Sequence, residues 1–360
     1  MNPGYGEVFS AIHKGTQNEV AIKMISKTSN YKMDIIKNDL WVRQKFDNPF
    51  ISQLFEVIDS KDYICLVLEY CSNGNLVKAI SERGKFNEED AATVFTQLLL
   101  AVNYLHNSCQ VIHRNIRCDN IMFDSHKNIK LSEFGYCQHL EKEAVSITHY
   151  GSPAYIAPEV IQGKPYSFAS DVWSCGIVLY AMVCGHLPFY DVDLSTFTHK
   201  ILYMDITFPI HLSIGIKDLL KKMLAKNPAH RIKAADIFKH PFLSDAVNKM
   251  RIKLRKATVD TVSICRSLDV LGYDSDQIQY EIENGESSPG TVAYYIQYRT
   301  ILSYAIMNAN LKASSYSTLK VNLLPKLPLA NSRRESADVI INSNLYKQKK
   351  PKRNSILMNI

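Results

Sequence analysis

Val111-Ile112-His113-Arg114-Asn115-Ile116-Arg117-Cys118-Asp119-Asn120-Ile121-Met122 is the stretch from which the fold of this 360-residue chain can be read. Between apolar pairs at its two ends it holds two guanidinium groups, two amides and a carboxylate. Glu133-Phe134-Gly135 stands 18 residues after Asn115, and Gly151-Ser152-Pro153-Ala154-Tyr155-Ile156-Ala157-Pro158-Glu159 comes next. Asp171-Val172-Trp173-Ser174-Cys175-Gly176, Leu187-Pro188-Phe189 and Asn227-Pro228-Ala229-His230-Arg231 follow in that order. Upstream, Gly4-Tyr5-Gly6-Glu7-Val8 precedes the Lys of Val20-Ala21-Ile22-Lys23, with 17 residues from Gly6 to Lys23. Alone, two glycines and a lysine in adjoining strands describe no more than a hairpin, because the commonest work of glycine is a turn.

Each segment could arise by chance, but six in this order and at this spacing could not. Together they resemble the eukaryotic protein kinases, with their catalytic loop H-R-D-x-K-x-x-N, their metal-binding D-F-G and their substrate-docking segment ending in A-P-E. The resemblance covers Met1 to about Leu243 and is closest to the calcium/calmodulin-dependent and AMP-activated group. Arg117, two residues after Asn115, and Asp119 suit the Ser/Thr class. The resemblance implies an α+β, bilobal protein-kinase fold with a small β-rich lobe at about 1–70 and a large helical lobe at about 71–243.

The patterning of the chain agrees with that division. Glu7–Ile12, Glu19–Met24 and Tyr63–Leu68 are short β-like runs, and Lys32–Phe46 is a helical stretch. From Asn87 the period becomes helical, with Val94, Leu98, Val102 and Leu105 on one face of Ala91–His106. Residues 244–310 form a helical extension: a basic helix over Ala246–Lys256, then a compact segment from Thr261 to about Asn308 containing Leu271-Gly272-Tyr273. That segment resembles a ubiquitin-associated domain, and a helical cap on the large lobe fits it as well. Residues 311–360, rich in Ser, Asn, Lys and Pro, are expected to form a disordered basic tail.

Phosphoryl transfer is mostly positioning and charge stabilisation, so each departure from the family pattern can be weighed. The resemblance gives Lys23 to the nucleotide phosphates, Asn120 and Glu133 to Mg2+ or Mn2+, and Asn115 to the place of the proton-accepting Asp. A neutral amide cannot take a proton near pH 7, so the ~10²–10⁴-fold contribution of a general base should be lost. Glu133 keeps a charge but moves it out by a methylene, which suits an octahedral cation poorly. Asp39 falls where the family's helix Glu pairs with the strand Lys. Arg43, one turn on, occupies a position that is apolar in an active core; either the register is wrong or the lobes are poorly coupled.

ATP is the implied cofactor. Val8, Ala21 and Met122 would sandwich the adenine, with Leu68-Glu69-Tyr70-Cys71 as the hinge, unless they are simply lobe core. Gly4 and Gly6 are what the chain has of the glycine-rich loop, with Pro3 and Met1 at its other glycine positions and the preceding strand absent, so either the chain is N-terminally incomplete or the pocket roof is open. Glu159 and Arg231 match a buried structural ion pair, and Asp171 matches the Asp that supports the catalytic loop. Thr148 sits where relatives carry an activating phosphothreonine written by an upstream kinase, with Arg114 as partner for its charge; the plainer role is an exposed loop residue.

Composition bounds the rest. From Ser244 onward 17 Lys and Arg meet 10 Asp and Glu, which accounts for the whole net charge of +7, and residues 1–243 are balanced. A neutral main domain argues against a nucleic-acid-binding module. The basic cluster at 347–353 is either a nuclear address or a solvated charge run, and Ser336 and Ser355 follow basic pairs that basic-directed kinases favour. Eight scattered cysteines without paired spacing, no bilayer-length apolar run and no signal-peptide pattern suggest a cytoplasmic or nuclear protein. The expected function is that of a pseudokinase that regulates or scaffolds an active kinase partner. The alternative is a low-activity Ser/Thr kinase acting on protein substrates.

Overall fold

The computed structural model describes residues 6–27, 33–44, 46–139 and 153–309, together with the backbone of 339–341. Gly4, Thr148, Ser336, Ser355 and the basic cluster 347–353 lie outside them. The described residues divide into two compact units, one built on those up to 72, 124–127 and 252–309, the other on those within 73–123 and 128–251.

In the first unit β1 (Glu7–His13), β2 (Glu19–Ser26), α1 (Met33–Arg43), β3 (Leu54–Asp59) and β4 (Tyr63–Glu69) follow one another. The strands pair antiparallel in the order β3-β4-β2-β1. Alternation along β2 sends Val20, Ile22 and Met24 to one face and Ala21, Lys23 and Ile25 to the other. The second face packs on α1 through Ile36 and Leu40, with Leu66 and Leu68 of β4. A short strand, Val339–Ile341, pairs with Ala11–His13 on the outer edge of β1, so the tail that was expected to be disordered throughout carries structure at this place. Its three β-branched residues suit an edge strand.

The second unit is helical: α2 (Leu76–Arg83), α3 (Glu88–Asn107), the two-stranded pairs β5 (Val111–Ile112) with β8 (Gln138–His139) and β6 (Ile121–Phe123) with β7 (Ile129–Leu131), then α4 (Pro158–Ile161), α5 (Phe168–Cys184), α6 (Leu194–Tyr203), α7 (Ile214–Met223), α8 (Ala234–Ile237) and α9 (Ser244–Lys256), the last crossing into the first unit. The α3 start is specified locally, because the Asn87 side chain accepts from the Asp90 N–H and three acidic residues occupy the first turn. Helix α5 is buried nearly all round, which explains why its sequence lacks an amphipathic stripe.

The extension forms α10 (Thr261–Val270), α11 (Ser275–Asn284) and α12 (Pro289–Asn308), and it belongs to the small-lobe core. Ile264, Leu268, Ile278 and Val292 share one buried cluster with Val20, Ile22, Phe55 and Val67, the sheet face opposite Lys23. The expected cap on the large lobe is therefore corrected: a half-apolar sheet leaves a face that must be buried, and the extension covers it. Two glycines permit the close approach. A Cβ at Gly15 would lie 2.0 Å from the Tyr273 hydroxyl, and one at Gly290 would lie 2.6 Å from Ile278 Cγ1. A Leu268→Ala substitution should cost about 2–5 kcal/mol in urea unfolding. Because the core is shared, amide-exchange protection in β2 should fall with it; full retention of that protection would show an independent extension.

Candidate catalytic site

The catalytic loop is hung from one buried carboxylate. Asp171 near the start of α5 accepts from the backbone N–H of His113 (2.8 Å) and Arg114 (2.9 Å), and lies 2.8 Å from His106 Nε2. Burial pushes its pKa up, but the His106 hydrogen bond and charge and the His113 backbone outweigh that and hold it below the ordinary value. Arg114 is thereby fixed at φ +65°, in the left-handed region that a non-glycine residue enters only under constraint. Its Nη1 donates to Gln138 Oε1 at 3.0 Å, and its guanidinium sits 4.6 Å from the Tyr166 ring centre. The arginine expected to meet a phosphothreonine is thus held in place by an amide and an aromatic face.

Asn115 follows with its backbone fully engaged. Its N–H donates to His113 Nδ1 at 3.2 Å, and its carbonyl accepts from Asn120 Nδ2 at 2.8 Å. Among the described residues its side-chain amide makes no hydrogen bond. Arg117 turns to Asp119, with Nε and Nη2 at 2.8 and 2.6 Å from Oδ2.

Asn120 uses its amide nitrogen on the loop and leaves its amide oxygen as a metal donor. Ser132 N–H and Oγ both donate to the Asn120 carbonyl at 2.9 Å, so the β6–β7 hairpin ties the residue just ahead of Glu133 to Asn120. Glu133 takes φ +64°. Phe134 is fully buried edge-on to His113, with ring centres 5.0 Å apart. Met122, half-buried on β6, pairs with Lys130 on β7. A carboxylate and an amide oxygen are hard donors of the kind that suit Mg2+ or Mn2+, with water and phosphate oxygens to complete the shell. Among the described residues no cluster of three or more His, Cys, Asp or Glu forms a metal site of its own.

In the small lobe Lys23 is buried on β2, two residues from half-buried Ala21 on the α1 face and opposite Val8 in the β1 register. A lysine with small apolar neighbours fits a nucleotide: it supplies charge to phosphates beside a surface on which a base can lie. Gly6, the described part of the glycine stretch, has φ +88° and faces the Met24 carbonyl so closely that no Cβ would fit. Asp39 and Arg43 sit one turn apart on α1. Both are buried, and Arg43 Nε donates to Asp39 Oδ1 at 2.9 Å.

At the hinge Cys71 is buried, its Sγ 3.9 Å from the Glu69 carbonyl. The Glu69 carboxylate accepts from Gln53 N–H at 3.3 Å and from Arg299 Nη2 at 3.0 Å. Arg299, only 2 % exposed, also donates to the carbonyls of Asn48 and Ile51. Sequence reasoning missed Arg299. Its one signal was a lone cation in the apolar run Tyr294-Tyr295-Ile296-Gln297-Tyr298.

The docking segment is anchored by the buried pair of Glu159 and Arg231, bidentate at 2.7 and 2.8 Å, with Ser170 Oγ donating to the same carboxylate at 2.9 Å. Burial pushes the Glu159 pKa up, and the Arg231 hydrogen bonds and charge bring it below the ordinary value.

These features define a protein kinase fold and its catalytic loop. The protein kinase domain model matches residues 3–243, and the chain belongs to the protein kinase family. Within that family it is a member of the SNF1-related Ser/Thr group. It is 32% identical over 352 residues to the SNF1-related protein kinase catalytic subunit alpha KIN12 of Arabidopsis thaliana, covering 95% of this chain and 67% of that kinase. It is 34% identical over 304 residues to Serine/threonine protein kinase OSK4 of rice, Oryza sativa, covering 81% and 59%. With CBL-interacting protein kinase 11 of rice the identity is 36% over 266 residues, covering 72% and 53%. The chain thus spans from about half to two thirds of the length of these relatives.

Glu159→Gln leaves Arg231 buried without its counter-charge and should cost about 3–5 kcal/mol in chemical unfolding. Acid should act through the same groups. Carboxylates with lowered folded pKa values stabilise fully above the unfolded value of about 4 and lose that contribution as pH falls through the folded ones. The thermal midpoint should therefore hold from neutral pH down to about pH 5 and drop below about pH 4, more shallowly in Glu159→Gln than in wild type.

Proposed function

We propose that this kinase-family chain is a pseudokinase: a protein that regulates or scaffolds an active kinase and handles ATP and divalent metal weakly. The observation that carries this is Asn115, a neutral amide at the base position in a loop whose supporting hydrogen bonds are otherwise complete. Bound ATP would supply the phosphoryl group and the metal would screen its charge. Lys23 would hold phosphate, Asn120 and Glu133 would hold the cation, and Arg117 would lie near the acceptor side chain. What Asn115 withholds is the removal of the acceptor's proton, a deficit of roughly 3–5 kcal/mol in the barrier.

A low-activity Ser/Thr kinase acting on protein substrates is the second reading. It is favoured by the survival of Lys23 and Asn120, because a dissociative transition state needs little early proton removal. Regulation by an upstream kinase at Thr148, and a cytoplasmic site of action with nuclear entry through the basic cluster, complete the proposal.

Phosphotransfer from labelled ATP to a basic peptide, with Mg2+ and with Mn2+, decides between the readings. Wild type should stay at background, and Asn115→Asp together with Glu133→Asp should raise transfer by about 10²-fold or more. Robust wild-type transfer abolished by Lys23→Met would sink the pseudokinase reading.

A further inference from the structure

Lys226, half-buried between α7 and α8, turns its amine to aromatic rings. Its Nζ lies 4.5 Å from the Phe189 ring centre and 5.4 Å from that of Trp173, two parallel rings whose centres are 6.4 Å apart. It donates to the carbonyl of Ile201 in the last turn of α6, and among the described residues it makes no other hydrogen bond and no ion pair. Exposed Asp205 is the carboxylate whose charge it feels. The other cation on this indole, the Arg231 guanidinium 5.2 Å from the Trp173 ring centre, is already neutralised by Glu159. Trp173 is fully buried, and its Nε1 makes no hydrogen bond among the described residues.

An ammonium carries three N–H donors, and this one meets a single protein acceptor. Burial disfavours its charged form and pulls the amine down to about 8, against the smaller opposing effect of Asp205. A substantial fraction of Lys226 is therefore neutral just above neutral pH, and the neutral amine is the nucleophile. An amide at this nitrogen suits the surroundings better than the ammonium does. It keeps one N–H, which the Ile201 carbonyl can take, and it adds an acceptor oxygen beside an indole whose N–H lacks one. A small alkyl group on that amide would lie against the faces of Phe189 and Trp173.

We propose that Lys226 is a modification site: an amine that takes a small acyl group from an acyl thioester, with the Ile201 carbonyl, Phe189 and Trp173 holding the amide that results. The neutral Nζ attacks the thioester carbonyl carbon, the C–N bond forms and the C–S bond breaks. The thiolate leaves with the electron pair and takes up the proton shed by the nitrogen. No step draws on the nucleotide site, so the inference stands apart from the pseudokinase reading.

The test is incubation of the folded full chain with acetyl-CoA just above neutral pH, with each lysine followed over time by peptide mass spectrometry. Lys226 should be acetylated roughly tenfold faster than Lys222 and Lys239, exposed lysines whose amines are held charged by Asp218 and Asp236. The advantage should vanish in urea, where burial no longer favours the neutral amine. Nε-acetyl-lysine installed at position 226 during synthesis should keep the thermal midpoint within about 4 °C of wild type, because the bond to Ile201 and the ring contacts remain. A Lys226 rate no higher than those of Lys222 and Lys239 overturns the inference. So does an advantage that persists in urea, or an acetylated chain that melts more than about 4 °C lower.

Discussion

The large lobe depends on the carboxylate of Asp171. Three hydrogen bonds converge on it from His106 and from the backbone of His113 and Arg114, and they fix the chain just ahead of Asn115 in a conformation it would not otherwise hold. From that anchor the order of the loop follows: His113 accepts from the Asn115 N–H, Asn120 donates to the Asn115 carbonyl, and Ser132 donates to the Asn120 carbonyl. None of these bonds uses the side chain at position 115. The scaffold of the site is thus independent of the group that would perform the chemistry, which is why the fold survives the loss of a base.

The small lobe is organised on a different principle, the neutralisation of buried cations. Arg43 and Arg299 both donate to backbone carbonyls in the segment Asn48–Ser52, and each is paired with a carboxylate, Asp39 for one and Glu69 for the other. Such groups are satisfied or they are very costly, so they specify a single arrangement of α1, the hinge strand and α12. The extension adds apolar cover to the sheet face opposite Lys23, and Ser303 hydrogen-bonds Asp124 from the same helix. It is better described as part of the lobe than as an appendage to it.

Much of this was legible in the amino-acid order. The strands β1, β2 and β4 and the helices α1 and α3 follow from local period and capping, and the kinase pattern follows from the spacing of the catalytic and docking segments. The pairing of Glu159 with Arg231 was also readable, because both belong to motifs whose partners are set by the family resemblance. Strand β3 was not: Leu54-Phe55-Glu56-Val57-Ile58-Asp59 breaks the apolar–polar alternation of a strand, and its register with β4 shifts between Leu54 and Glu56. The placement of the extension was missed too. Apolar residues in α10, α11 and α12 announce a face to be buried, but no sequence period says against what.

The sequence by itself determined which groups stand at the reactive positions, Asn115, Glu133, Asp39, Lys23 and Asn120, because position within a motif is a local property of the chain. Only the tertiary structure decided what those groups and their neighbours are paired with. Asp39 meets Arg43, Arg117 meets Asp119, and Arg299 reaches Asn48 across 251 residues. Pairing of buried charge is settled by which groups lose water together when the lobe closes on itself. For a long-range pair such as Arg299 with Asn48 and Glu69, that is a property of the packed core and leaves almost no mark on the order of residues.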